Sequence, residues 1–86
     1  MPYIKEEDRT MFAGLLGDCG PISTAGDLNY VLTIICDEYL KNKGKCYQNI
    51  NEVIGVMECM KQEFYRRVVA PYEDQKIKEN GEVYYV

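Results

Sequence analysis

The chain has 86 residues, a formal net charge of −4 and no histidine. A length of this order fits one domain, so residues 1–86 are predicted to form a single domain. Without histidine the commonest general base is missing, and the negative charge disfavours non-specific binding to duplex nucleic acid. We therefore expect neither an enzyme nor a protein that binds duplex nucleic acid.

The apolar content is high for so small a chain. Hydrophobic residues make up 47% of it, whereas a domain of this size has only a thin core. A shared interface would cover the surplus, so self-association into a dimer or tetramer is predicted. No signal-peptide pattern and no apolar run of about 20 residues is present, which predicts a cytoplasmic protein with no membrane partner.

The cysteines give no sign of a metal site or a disulfide framework. The sequence has four of them and neither a C-x-x-C pair nor a histidine to complete a zinc site. We expect reduced thiols that pack against apolar neighbours, with no metal and no cofactor.

The first predicted helix covers residues 6–16. Acidic residues crowd its first turn, which the helix dipole favours, and Gly17 is a plausible end. Its apolar stripe consists of Met11, Phe12, Leu15 and Leu16.

A second helix is predicted from a capping box formed by Thr24 and Asp27, and it runs to about Lys41. Residues 30–36, YVLTIIC, are rich in β-branched side chains and would also suit a strand. Apolar residues recur at helical spacing, however, and together with the capping box this favours a helix.

The third helix is predicted to open at Asn49, which would act as its N-cap. Its apolar stripe consists of Ile50, Val53, Ile54, Met57, the aliphatic stem of Lys61, Phe64 and Val68. Gly55 lies in the middle of this helix, where it is either simply tolerated or allows another backbone to approach. Pro71 should end or kink the helix, and residues 72–79 could add one or two turns. The predicted fold is therefore all-α, with three main helices and a short C-terminal helix or turn.

The last residues are apolar and aromatic, although chain ends are usually polar and frayed. Residues 82–86 read EVYYV. This composition predicts docking, either onto the core of the same chain or onto a neighbouring molecule.

The candidate site is centred on the adjacent pair Arg66 and Arg67. Cations are favoured at the C-terminus of a helix, so the pair requires no ligand. Arginine also binds phosphate through bidentate hydrogen bonds, and tyrosine offers a flat stacking surface with a polar tip. The predicted ligand-binding set is Arg66 and Arg67 for phosphate, Tyr65, Tyr72 or Tyr30 for stacking, and Asn29 or Asn51 for a base edge. The same residue types are enriched in protein interfaces, so both alternatives stay open.

Four stretches carry a resemblance to a known family. They are MPYI at 1–4, LNY at 28–30, INEVIGVMEC at 50–59 and EFYRRVVAPYEDQKIKENGEVY at 63–84. Together they resemble a family of short phage and bacterial proteins without an assigned activity; residues 11–23 depart from its pattern. By type, the chain is also similar to phage anti-defence proteins that sequester cyclic nucleotides. That similarity implies a cyclic di- or trinucleotide ligand and, for a phage-encoded protein, the host cytoplasm.

Two functions of different classes follow as expectations. The first is a non-enzymatic protein that sequesters a small anionic ligand, a cyclic oligonucleotide, in a pocket between subunits. The second is a helical structural or regulatory adaptor that binds a host or phage protein. A DNA-binding helical module is a third class, and the net charge of −4 disfavours it.

Overall fold

The computed structural model describes residues 1–85, and within these residues it contains helices and turns but no strand. The α-helices are α1 (Glu6–Arg9), α2 (Ala25–Lys43), α3 (Tyr47–Phe64) and α4 (Ala70–Asn80). A 3-10 turn (Thr10–Phe12) follows α1, and a π-helical turn (Tyr65–Val69) connects α3 to α4. The predicted all-α class is confirmed.

The first helix is much shorter than predicted. Only Glu6–Arg9 is α-helical, and after the 3-10 turn the chain continues in tight turns to residue 18. Short helices depend on tertiary packing, and the apolar side chains of Met11 and Leu15 remain 78% and 63% exposed. The glycines at 14 and 17 lower the helix propensity of this segment further.

The capping box at the start of α2 is confirmed. The Thr24 hydroxyl accepts the N–H of Asp27 at 3.0 Å, and the Asp27 carboxylate accepts the N–H of Thr24 at 3.2 Å. The segment that also suited a strand is helical. α2 ends at Gly44, whose N–H bonds to the carbonyl of Leu40 and whose φ of 103° favours glycine.

Asn49 was predicted to cap α3, and this prediction is wrong. α3 begins earlier, at Tyr47, and the Asn49 side chain points back to the end of α2. Its Nδ2 donates to the carbonyls of Lys43 at 3.2 Å and Gly44 at 2.8 Å. Asn49 is 9% exposed and is the one residue classed as buried within residues 1–85. The amide therefore satisfies carbonyls that the end of α2 leaves without helical partners.

Helices α2 and α3 form an antiparallel hairpin. Near its closed end the Tyr39 hydroxyl donates to Glu52 at 2.6 Å. At its open end, Leu28 of α2 lines one groove together with Met60 and Phe64 of α3. This arrangement brings the start of α2 next to the π-helical turn.

Pro71 does not end the helix. The chain is helical from Tyr47 to Asn80, a run of about 50 Å, and the hydrogen-bond register widens in the turn just before the proline. Proline lacks an N–H, and its ring crowds the carbonyl four residues earlier, that of Arg67. A wider π turn relieves this crowding, so α4 is longer than the one or two turns predicted.

The apolar stripes are not buried within one chain. No hydrophobic side chain of residues 1–85 is buried, and Ile54 and Phe64 of the predicted α3 stripe are 58% and 59% exposed. The radius of gyration is 17.1 Å, whereas a compact chain of this length has about 12 Å. The four thiols are free, but Cys36 alone among them is even partly covered, which corrects the expectation of core-packing cysteines.

Gly55 and the C-terminal residues 82–86 were the subject of two further predictions. Apart from the backbone of its own helix and its two neighbours in sequence, no atom of the described residues lies within 4 Å of the position that a Cβ would take on Gly55, so no other segment approaches closely there. Val83, Tyr84 and Tyr85 are exposed, so they do not dock onto a core of their own chain. The predicted docking of Val86 lies outside the described residues.

Candidate ligand-binding site

The π-helical turn carries three of the predicted site residues, Tyr65, Arg66 and Arg67. Isolated π turns within α-helices are frequently found at functional sites. Here the turn has a local cause in Pro71, and both arginines belong to it. The two arginines have different surroundings.

Arg66 is engaged in an ion pair. Its Nη2 lies 2.6 Å from the Oε1 of Glu63, and its Nε lies 3.4 Å from the Oε2. The Tyr3 hydroxyl donates to the same carboxylate at 2.5 Å. The Glu63 side chain is only 19% exposed, so the three residues form a network that joins the N-terminal segment to α3.

The network shifts the pKa values of its members. The hydrogen bond from Arg66, followed by the one from Tyr3, lowers the pKa of Glu63 below its usual range. The hydrogen bond to Glu63 raises the pKa of Tyr3, and desolvation adds to this. Because both shifts favour a charged Glu63 and a neutral Tyr3 at pH 7, the network is fully formed there.

Arg67 is exposed and makes no hydrogen bond or ion pair with any side chain in residues 1–85. Its charge adds to the lowering of the Glu63 pKa, after the hydrogen bonds from Arg66 and Tyr3. An arginine with all five donors available can fork an anion. Of the predicted pair, Arg67 is therefore the side chain whose N–H donors are available to bind an anion.

The two tyrosines near the arginines have polar partners of their own. The Tyr65 hydroxyl donates to Glu73 of α4 at 2.9 Å, and this bond raises the pKa of Tyr65. The ammonium of Lys76 lies 5.5 Å from the centroid of the Tyr72 ring, within cation–π range. Tyr72 is 59% exposed, so much of its side chain remains in contact with water.

The predicted residues of α2 lie at the same end of the hairpin as the π turn. The side-chain oxygen of Asn29 accepts the Thr33 hydroxyl at 3.2 Å. Tyr30 is 66% exposed and lines a shallow groove with residues 19–22. Leu28, their neighbour in sequence, shares a groove with Tyr65, but neither Asn29 nor Tyr30 lines that groove.

Asn51 does not belong to this surface within one chain. It lies in the second turn of α3, about 20 Å along the helix axis from Tyr65. Its neighbour Asn49 has a structural role instead, which sequence periodicity did not reveal. A single subunit therefore does not bring Asn51 together with the arginines.

Sequence reasoning missed one member of the arginine cluster, Tyr3. Glu63 lies three residues before Arg66, a spacing typical of ion pairs on helices, but its contact with Tyr3 spans 60 residues of sequence. Nothing in the local pattern of MPYI indicates that the tyrosine reaches α3. The MPYI stretch was noted for its resemblance alone.

Comparison with models of protein families assigns the chain to a family. The family model described as Domain of unknown function (DUF6899) matches residues 1–83. The chain belongs to this family. The match includes residues 11–23, the stretch that departed from the resemblance seen in the sequence, and it covers every residue of the candidate site.

Membership of DUF6899 carries no assigned activity, because the family description names none. No match was found among curated proteins or among solved structures. Within residues 1–85 there is no cluster of three or more histidine, cysteine, aspartate or glutamate side chains that could hold a metal ion. In the same range, no helix is both long enough and apolar enough to cross a membrane.

Proposed function

We propose that the protein is a non-enzymatic binding protein that works as a homo-oligomer and sequesters a small anionic ligand, a cyclic di- or trinucleotide, beside Arg67. The observation that carries the proposal is an apolar surface that one chain leaves uncovered, together with Arg67, which has no ion-pair partner within residues 1–85. The assembly supplies the core that one chain lacks, and the arginine supplies the attraction for phosphate.

The accessible surface supports the oligomer. It measures 7,966 Å², whereas a compact monomer of 10.0 kDa has about 5,200 Å². The excess, about 2,700 Å², is larger than the roughly 1,000–2,500 Å² that one subunit buries in an obligate interface of 2,000–5,000 Å² in total. Together with the absence of buried hydrophobic side chains in residues 1–85, this favours a chain that is completed by association.

The charges support an anionic ligand at this end of the molecule. Glu63 neutralises Arg66, but no carboxylate in residues 1–85 lies within ion-pair distance of Arg67. Tyr72, five residues after Arg67, has an exposed ring, and Tyr30 of α2 is exposed as well. Each base stacked on such a ring contributes about 1–3 kcal/mol, so two stacks and an arginine contact give useful affinity.

The ligand class comes from the resemblance by type to phage anti-defence proteins. A protein of this kind removes the cyclic nucleotide signal of bacterial defence by binding it without turnover, in the cytoplasm of the host. Binding without turnover requires no catalytic groups, and this agrees with a sequence that has no histidine.

The test combines sedimentation with thermal stability. Wild-type protein should sediment as an oligomer and be stabilised by one class of cyclic nucleotide, by about 2.7 kcal/mol at 100 times the dissociation constant. Arg67→Ala should remove this stabilisation and keep the oligomer. Lys78→Ala removes the same charge about 16 Å further along the helix and serves as the control. A ligand response that survives Arg67→Ala would contradict the site.

The adaptor remains a second candidate, and the exposed tail favours it. Tyr84 and Tyr85 are 75% and 107% exposed, which is a high exposure for aromatic side chains. An adaptor would show no thermal shift with any nucleotide. Its binding to a protein partner would instead depend on residues 82–85.

A further inference from the structure

An apolar groove lies at the open end of the hairpin. It has a volume of about 510 Å³, larger than the grooves of about 300 Å³ and 130 Å³ elsewhere along α2 and α3. Its lining consists of Leu28, Leu32, Met60, Lys61, Phe64, Tyr65 and Val69. We call this surface the open-end groove.

We infer that a second copy of this chain occupies the open-end groove, so that the interface between subunits runs alongside the π turn. The inference rests on the self-association in the proposed function and adds the surface that mediates it.

The side chains of the open-end groove are placed for an interface. Leu28, Met60 and Phe64 are 50%, 44% and 59% exposed, although each is large and apolar. A partner that covered them would gain about 25 cal/mol for each Å² of apolar area removed from water. The groove is therefore a strong source of association free energy.

Charge does not oppose a self-complementary contact at this place. The chain carries a net charge of −4, but no carboxylate lines the open-end groove. The one cation of the lining, Lys61, pairs with Glu58 at 3.2 Å, and its side chain is 70% exposed. A two-fold related copy would thus meet apolar surface in the centre and a neutralised lysine at the rim.

A second copy fits better than a different protein, because every copy of the chain has the same uncovered apolar surface. One subunit has no buried hydrophobic side chain in residues 1–85, so its apolar surface requires a partner as soon as the chain is made. The partner that is always present in equal amount is another copy. The excess area of about 2,700 Å² exceeds the roughly 800 Å² that each partner buries in a standard interface.

The open-end groove borders the π turn. Tyr65 and Val69 belong both to the groove and to the π turn. Arg67 lies between them in sequence and does not line the groove. A partner in the groove would therefore cover one side of the π turn and leave Arg67 outside the covered surface.

The experiment compares Phe64→Glu with Ile54→Glu by sedimentation velocity over a hundredfold range of protein concentration. The two side chains lie on α3 and are equally exposed, at 59% and 58%, but only Phe64 lines the open-end groove. We expect Phe64→Glu to weaken association at least tenfold and Ile54→Glu to leave it unchanged. Circular dichroism of both variants reports whether the helices are retained.

A photo-crosslinking amino acid at position 64 or 54 keeps the inference testable if Phe64→Glu unfolds. A covalent dimer formed from position 64 and not from position 54 supports the interface. An oligomer that persists in folded Phe64→Glu, or that crosslinks from position 54 alone, overturns the interface while self-association stands. A wild-type protein that is monomeric at every concentration overturns both.

Discussion

Tyr3 and Glu63 are joined by a hydrogen bond of 2.5 Å between the tyrosine hydroxyl and the carboxylate, across 60 residues of sequence. Glu63 also accepts two hydrogen bonds from Arg66. The N-terminal segment is thereby connected to the end of α3, next to the π turn. Few other contacts hold this segment, because residues 1–22 have no buried side chain.

Tyr3→Phe should loosen the N-terminal segment. The substitution keeps the ring and removes the hydroxyl that donates to Glu63. We expect faster amide hydrogen exchange in residues 1–22 and unchanged exchange in the middle of α2, measured by mass spectrometry. Tyr47→Phe is the matched control, since the Tyr47 hydroxyl has no partner in residues 1–85. Equal exchange in wild type and Tyr3→Phe would show that the bond does not restrain the segment.

The same contact should depend on pH in a defined direction. Glu63 has a lowered pKa, so its contribution is present above the ordinary carboxyl value of about 4.3 and is lost as the pH falls through the lowered pKa. Tyr3 has a raised pKa, so its contribution is present below about 10 and is lost as the pH rises through the raised pKa. The contact should therefore hold from about pH 5 to about pH 10.

Carbon-13 NMR of labelled tyrosine would measure this pH dependence. The signal of Tyr3 should titrate above the ordinary tyrosine value of about 10. In Glu63→Gln the titration should move back toward that value, because the negative charge of the acceptor is gone. A Tyr3 midpoint that is the same in both proteins would contradict the hydrogen bond.

Asn49→Ala should destabilise the hairpin. The substitution removes the two hydrogen bonds to the carbonyls of Lys43 and Gly44, and we expect a loss of about 1–2 kcal/mol in the free energy of unfolding. Asn51→Ala, two residues later in the same helix, should stay within about 0.5 kcal/mol of wild type, since Asn51 is exposed. Urea denaturation at one protein concentration compares them, and equal losses would refute the role given to Asn49.

Pro71→Ala should convert the π turn to α-helix. It restores a backbone N–H at position 71 and removes the ring that crowds the carbonyl of Arg67. We expect backbone carbon shifts of residues 65–69 to become those of a regular α-helix, with the helix content retained. Because the change rotates Arg67 relative to α2, the response to a cyclic nucleotide should fall as well. A ligand response equal to that of wild type would show that the π register does not matter for binding.

The course of α2 could be predicted from sequence, because its signals are local. Thr24 and Asp27 are three residues apart, and the capping box they form needs no other part of the chain. The apolar spacing behind them is likewise a property of one segment. The arginine pair was identified in the same way, since Arg66 and Arg67 are adjacent and stand before a proline.

The amino-acid sequence by itself thus determined an all-α chain with one strong helix start, an arginine pair and more apolar surface than a small domain can cover. Only the tertiary structure decided that the Asn49 amide turns back to the end of α2, that the Tyr3 hydroxyl reaches Glu63, and that Arg67 has no ion-pair partner within residues 1–85. The contact between Tyr3 and Glu63 depends on two segments that lie 60 residues apart in sequence. Helical periodicity gives the face of each residue but not the segment opposite to it.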